Sequence, residues 1–183
     1  MRDDDQLSRQ YTRTAMALHW IVAGLIACGF VLGLIFADLP FSPQKLKLAS
    51  YHKWIGMTVL LLAALRGIWR LTHAAPPLAP MPAWQAALAR ATHLLLYGLM
   101  LAVPMLGWLM TSAQGVPVVY LGVLKLPDLI GKDKLLGSFL AELHGGYAWL
   151  LFYVFLLHAA AALKHHFVDR DDTLRRMLRW SAR

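Results

Sequence analysis

Charge is scarce in this chain. Asp, Glu, Lys and Arg make up 15% of its 183 residues, against 58% hydrophobic residues and a mean hydropathy of +0.51. A soluble domain carries about a quarter charged residues and no such apolar excess, so a water-soluble globule is excluded. Cysteine is nearly absent: Cys28 stands alone, so no intrachain disulfide is possible. The first ten residues, MRDDDQLSRQ, lack the basic and apolar pattern of a cleavable leader, and the apolar run behind them is too long for an h-region. Acidic residues are also few, ten against eighteen basic ones, giving a net charge of +8. Such a charge suits nucleic acid, but the basic residues flank apolar runs, where membrane topology places them. No nucleic-acid partner is expected.

What is abundant is long apolar sequence. A helix needs about 20 apolar residues to cross a bilayer. Four runs qualify, at 15–37, 51–69, 92–111 and 143–163, which predicts an all-α integral membrane four-helix bundle, one domain over 1–183. Pro104 inside the third run is tolerable where neighbours satisfy the freed carbonyl. The stretch PPLAPMP separates the second and third runs, and the loop from Ser112 to Ala141 has room for a short surface helix.

Twelve Lys and Arg residues gather on the side of the termini and the loop between runs two and three: Arg2, Arg9, Arg13, Arg66, Arg70, Arg90, Lys164, Arg170, Arg175, Arg176, Arg179 and Arg183. Six lie on the other side: Lys45, Lys47, Lys53, Lys125, Lys132 and Lys134. The positive-inside bias predicts a multi-pass protein with both termini cytoplasmic.

The histidines then fall at two depths. His19 and His158 lie toward the inner side, and His52 and His144 toward the outer side. On the fourth run His144 and His158 are fourteen residues apart, about 21 Å along a helix and close to four full turns, so both rings share a face. The natural pairs are His19 with His158 and His52 with His144. A lone intramembrane histidine is often a hydrogen-bonded packing residue. Four matched in depth across three helices point to function. Haem is the best candidate, because its iron takes axial histidine and its macrocycle suits an apolar bundle. Zinc or copper wants a third or fourth close ligand, and no acidic residue lies inside a run to supply one. Small residues beside the rings (Gly145, Gly146, Gly56 and the four alanines after His158) leave room for a flat macrocycle, though they also permit close helix packing.

Arg66 and Arg70 share a helix face at i, i+4 and are candidates for haem propionates or for anchoring at the headgroups; Arg13 is a weaker candidate. His93 and His165 have no evident iron; each is a titratable ring able to hydrogen-bond a bound molecule, with interfacial wetting as the alternative. His73 and His166 read as solvent-facing. Gly29 and Gly33 form a GxxxG packing signal.

Six stretches carry a family resemblance over nearly the whole chain: ALHW at 17–20, YHKWIGMTVLLLAALRGIWR at 51–70, PPLAP at 76–80, THLLLYGLMLAVPMLGWLM at 92–110, ELHGGYAWLL at 142–151 and LHAAAALKHHF at 157–167. The chain resembles the prokaryotic cytochrome b561 family. The resemblance implies two haem b groups with bis-histidine ligation at His19, His52, His144 and His158, in the bacterial inner membrane, exchanging electrons with a membrane quinone, ubiquinone. One branch oxidises superoxide; others are b-type anchor or relay subunits of hydrogenases or dehydrogenases, where a partner enzyme is the donor. Lys45, Lys47 and Lys53 lead to His52, so a small anionic donor such as superoxide could be steered there, electrons leaving near Arg70, His93 and His165. A metal carrier using its histidines transiently is the third reading.

Overall fold

The structure, a computed structural model, describes residues 11–178. It has four long helices: α1 (Arg13–Ala37), α2 (Pro43–Thr72), α3 (Ala83–Ala113) and α4 (Lys134–Lys164). Each is long and apolar enough to cross a membrane, and the protein is a multi-pass, all-α bundle. Basic residues at 2, 9, 179 and 183, which entered the orientation argument, lie outside the described residues.

Three of the four helices, α2, α3 and α4, run well beyond the apolar stretches, and α1, α2 and α4 each start on a capping side chain. Thr12 caps α1 by accepting from the Ala15 amide at 3.2 Å. Ser42 does the same for α2 toward Lys45, with Pro43 at the first helical position, where its missing N–H costs nothing. Asp133 caps α4 by accepting from Leu136 at 3.0 Å. The second and fourth helices therefore begin eight and nine residues before the expected 51 and 143.

The loop after α3 departs from expectation. No short surface helix forms there. Val119–Tyr120 and Leu124–Lys125 pair as a two-stranded antiparallel hairpin, β1 and β2. Leu121 (φ 52°) and Gly122 (φ 77°) make its turn with positive φ, which a helix does not allow. The hairpin lies along α2. The Trp54 indole N–H donates to the Val119 carbonyl at 2.7 Å, and the Tyr120 and Thr58 hydroxyls meet at 2.9 Å.

The bundle packs chiefly as two sequential hairpins, α1 with α2 and α3 with α4, while α2 and α3 join them. The buried core takes Val22 from α1, Ala63 from α2, Leu99, Met100 and Val103 from α3, and Leu151 and Val154 from α4. These positions lie between the two histidine depths, so dry packing separates them. Phe30 and Phe152 stack at 4.3 Å with nearly parallel rings, sealing α1 against α4 at the same middle depth.

The chain's last described part is tied across the His158 end. A π-helical turn, His165–Asp169, leads to Arg170 in the left-handed region (φ 55°) and then to α5 (Arg175–Leu178). The Trp20 indole donates to the Met177 carbonyl and the Arg176 guanidinium to the Pro77 carbonyl, both at 2.8 Å. This segment thus joins α1 to the loop between α2 and α3.

Candidate functional site

The structure brings His52 and His144 together with ring centres 6.0 Å apart, and His19 and His158 with ring centres 6.1 Å apart. All four rings are half-buried. A metal–imidazole bond is about 2 Å, and each ring centre lies about 1 Å behind its nitrogen, so two rings flanking one metal ion stand about 6 Å apart. Both separations match that span.

At the His52 end the rings are anchored from behind. The Nδ1 of His52 lies 2.8 Å from the Gly29 carbonyl of α1, and the Nδ1 of His144 lies 2.9 Å from the Val103 carbonyl of α3. A carbonyl only accepts, so Nδ1 carries the proton in both rings and Nε2 keeps a lone pair for a metal. Two glycines make room for these rings. A Cβ at Gly33 would stand 3.3 Å from His52 Cε1, and one at Gly107 would stand 3.1 Å from His144 Cε1. Sequence reasoning took Gly29 and Gly33 as a packing signal and passed over Gly107; the signal available was a glycine four residues after each accepting carbonyl. Gly145 and Gly146, beside His144, would meet nothing within 4 Å and leave the open space expected of them. Gly56 does not. A Cβ there would stand in ordinary contact with Pro104 at 3.8 Å, so Gly56 faces α3 and not open space.

At the other end a third histidine joins the pair: His93 of α3 lies 5.2 Å from His158 by ring centres, edge to face. Arg66 sits over the Tyr97 ring at 5.2 Å, and its charge reaches His19, His93 and His158. A half-buried guanidinium without a carboxylate partner among the described residues is suited to an anionic group brought in from outside the chain. Arg70, one turn on, is exposed near the end of α2.

Among the described residues these features belong to a membrane-length helical bundle with two facing histidine pairs, and the comparison with known proteins agrees. The family model for prokaryotic cytochrome b561 matches residues 10–180. The chain belongs to the prokaryotic cytochrome b561 family. Cytochrome b561 homolog 2 of Escherichia coli (strain K12) is 34% identical over 173 residues, covering 92% of this chain and 91% of the relative. Cytochrome b561 homolog 1 of the same organism is 28% identical over 171 residues, covering 92% and 97%. A protein of Yersinia pestis named probable superoxide oxidase CybB is 28% identical over 181 residues, covering 94% and 97%. Prokaryotic cytochromes b561 are quinone-linked membrane electron-transfer proteins that bind b-type haem. The residues here fit that group. Each pair can offer two imidazole nitrogens across a gap of the right width, and glycines or alanines stand beside three of the four rings.

The remaining candidates are placed less simply. Lys45 is drawn back onto the end of α1, donating to the Leu39 carbonyl at 2.7 Å and the Ala37 carbonyl at 3.2 Å. Lys47 lies 5.9 Å from the Tyr51 ring centre, and the Lys53 ammonium lies 3.4 Å from the Pro117 carbonyl. None of the three meets a carboxylate among the described residues, so their charge is held in place and left uncancelled. The His165 ring is clasped by Asp171 at 2.7 Å and Asp169 at 3.1 Å, while Lys164 also binds Asp169 at 2.7 Å. The two carboxylates gather Lys164 and His165 there, a polar clasp closing the π-helical turn. His73 is exposed and stacks on Trp69 at 3.8 Å. His166, expected to face solvent, is half-buried in the π-helical turn, and its Nδ1 meets no hydrogen-bond partner among the described residues.

Proposed function

We propose that this protein is a superoxide:ubiquinone oxidoreductase of the bacterial inner membrane, with both termini cytoplasmic and two haem b groups, one held by His52 and His144 on the outer side and one by His19 and His158 toward the cytoplasm. The observation that carries it is the presence of two facing histidine pairs at two depths of one bundle, about 21 Å apart along α4. Bound haem b would supply one-electron redox chemistry at each depth. The chain's own residues do the rest. Gly29 and Val103 fix the tautomers of the outer rings. Arg66 and Arg70 would offer their guanidinium groups to the propionates of the inner haem.

Two superoxide anions give two electrons and become dioxygen; one ubiquinone takes those electrons and two protons and becomes ubiquinol. Uncancelled positive charge on Lys47 and Lys53, with Lys45 pinned beside them, raises the local concentration of a small anion near His52. Arg70, His93 and His165 are the candidates for hydrogen-bonding a quinone headgroup at the inner side. His93 is the best placed of these, since it already abuts His158. The similarity to a relative named as a probable superoxide oxidase supports superoxide as the donor.

The test is reconstitution of the purified chain alone with a superoxide-generating system and a soluble ubiquinone analogue. Expected are fast haem reduction and stoichiometric quinol. Absence of haem reduction by superoxide would move the protein to the relay-subunit branch, in which a partner enzyme is the donor.

A further inference from the structure

The two histidine pairs differ in how they are backed. Both outer rings donate through Nδ1 to a carbonyl of the neighbouring helix. The construction is the same twice, once in the α1–α2 hairpin and once in α3–α4. In each, the accepting residue is followed four positions later by a glycine, Gly33 after Gly29 and Gly107 after Val103. In an α-helix the carbonyl of residue i already accepts from the amide of residue i+4. A second donor that approaches over residue i+4 is least crowded when that residue is a glycine. The clearances of 3.3 Å at Gly33 and 3.1 Å at Gly107 say that a methyl would press on the ring.

The inner pair has no such backing. The Nδ1 of His19 is buried without a partner, and the His158 ring makes no hydrogen bond among the described residues. Its close neighbours are ring edges, His19 against Trp20 at 5.1 Å and His158 against His93 at 5.2 Å.

A carbonyl that draws on the Nδ1 proton makes the opposite nitrogen a stronger electron donor, and a stronger donor favours the higher oxidation state of the metal it holds. Resting on the reading of these rings as axial ligands, we infer that Gly33 and Gly107 are positioning residues whose carbonyl clamps set the outer centre at a lower midpoint potential than the inner one. The fold then gives the electron a downhill course from the outer pair to the inner pair, and helix backbone contributes to that direction.

The experiment is an equilibrium redox titration, followed by optical and low-temperature electron paramagnetic resonance spectra, of the haem-loaded protein and of Gly33→Ala and Gly107→Ala. His158→Ala, which removes an inner ring, assigns the components. Expected are two components in the wild type, the lower one outer. In each glycine variant the outer midpoint rises toward the inner one and the outer low-spin signal shifts, while the inner component keeps its position as an internal reference. Gly33→Ala is the milder change and guards against loss of uptake at that level; disappearance of the outer component alone also supports the clamp. Two components that both stay unmoved in both variants would overturn the inference and leave the ligand assignment standing. A wild type whose outer component is the higher would do the same. Loss of both components in both variants counts against a clamp confined to one level. Fewer than two components in the wild type would overturn the ligand assignment and the inference together.

Discussion

His19 and His158 meet ring to ring at 6.1 Å from the first and last of the four long helices. That contact helps close the bundle, where Phe30 of α1 also packs on Phe152 and Trp149 of α4. It also makes this pair dependent on tertiary structure across the longest sequence separation in the site.

The purified protein should contain two low-spin b haems per chain. His158→Ala should remove one and leave the other, and His52→Ala should remove the complementary one, because the core packed between the pairs keeps them independent. A pyridine haemochrome assay with difference spectra of both variants checks this. Both variants abolishing the same spectral component would falsify the pairing.

Reduction by superoxide should slow as salt rises, since steering of an anion is screened beyond a Debye length of about 10 Å at 0.1 M. Lys53→Gln and Lys47→Gln should lower the second-order rate with little effect on stability. Lys45→Gln should behave differently. It removes the ammonium that binds the Leu39 and Ala37 carbonyls, and a cation at a helix C-terminus is worth about 0.3–1 kcal/mol. Stopped-flow rates at several ionic strengths, paired with thermal unfolding in detergent, separate the two effects. A salt-independent rate unchanged by all three substitutions would remove the steering role.

The clasp after α4 should be acid-sensitive. Burial alone would raise the Asp171 carboxyl, but hydrogen bonds from the Thr173 hydroxyl and amide, and then from His165, outweigh it and hold the group below its ordinary range. A carboxyl depressed on folding contributes stability that is present above its unfolded value of about 3.9 and is lost as pH falls through the lower folded value. The Thr173 amide, bonded to Asp171 Oδ1 at 2.8 Å, should therefore stay protected from hydrogen exchange down to about pH 4 and lose protection below it. Asp171→Asn should lose that pH dependence. Protection unchanged between pH 6 and pH 2.5 would contradict the assignment.

Tyr120→Phe should loosen the hairpin on α2, leaving the Trp54 bond to the Val119 carbonyl in place. The lost hydroxyl leaves Thr58 with its bond to the Trp54 carbonyl at 2.8 Å, so the cost should be modest, about 1 kcal/mol. The expected readout is faster proteolysis within residues 115–131, with both haem components retained. Loss of a haem component in this variant would show that the hairpin supports a ring directly.

The four helices were legible because crossing a bilayer demands about 20 consecutive apolar residues, a requirement that Ala15–Ala37 and its three counterparts state outright. The two depths of the histidines were legible for a similar reason. Helical rise turns a fourteen-residue interval into a distance and nearly a whole number of turns, with no knowledge of neighbours. The hairpin at 119–125 was less legible, since β1 and β2 are two residues each and owe their place to Trp54 and Thr58 on a distant helix. His166 looked like a surface residue because the π-helical turn in which it lies half-buried has no simple sequence period. Lys45 looked like a free charge because its carbonyl partners are the unsatisfied end of the previous helix. Gly33 and Gly107 were opaque for the deepest reason. A glycine's role there is to be absent beside a ring on another helix, and which ring that is depends on how α1 meets α2 and α3 meets α4. Sequence by itself determined the spans and the depth of each histidine, because both follow from local repeat geometry and the thickness of a membrane. Tertiary structure alone decided which carbonyl holds the His52 ring and which the His144 ring, because hydrogen bonds between helices depend on azimuth and separation, to within tenths of an ångström, that no single helix encodes.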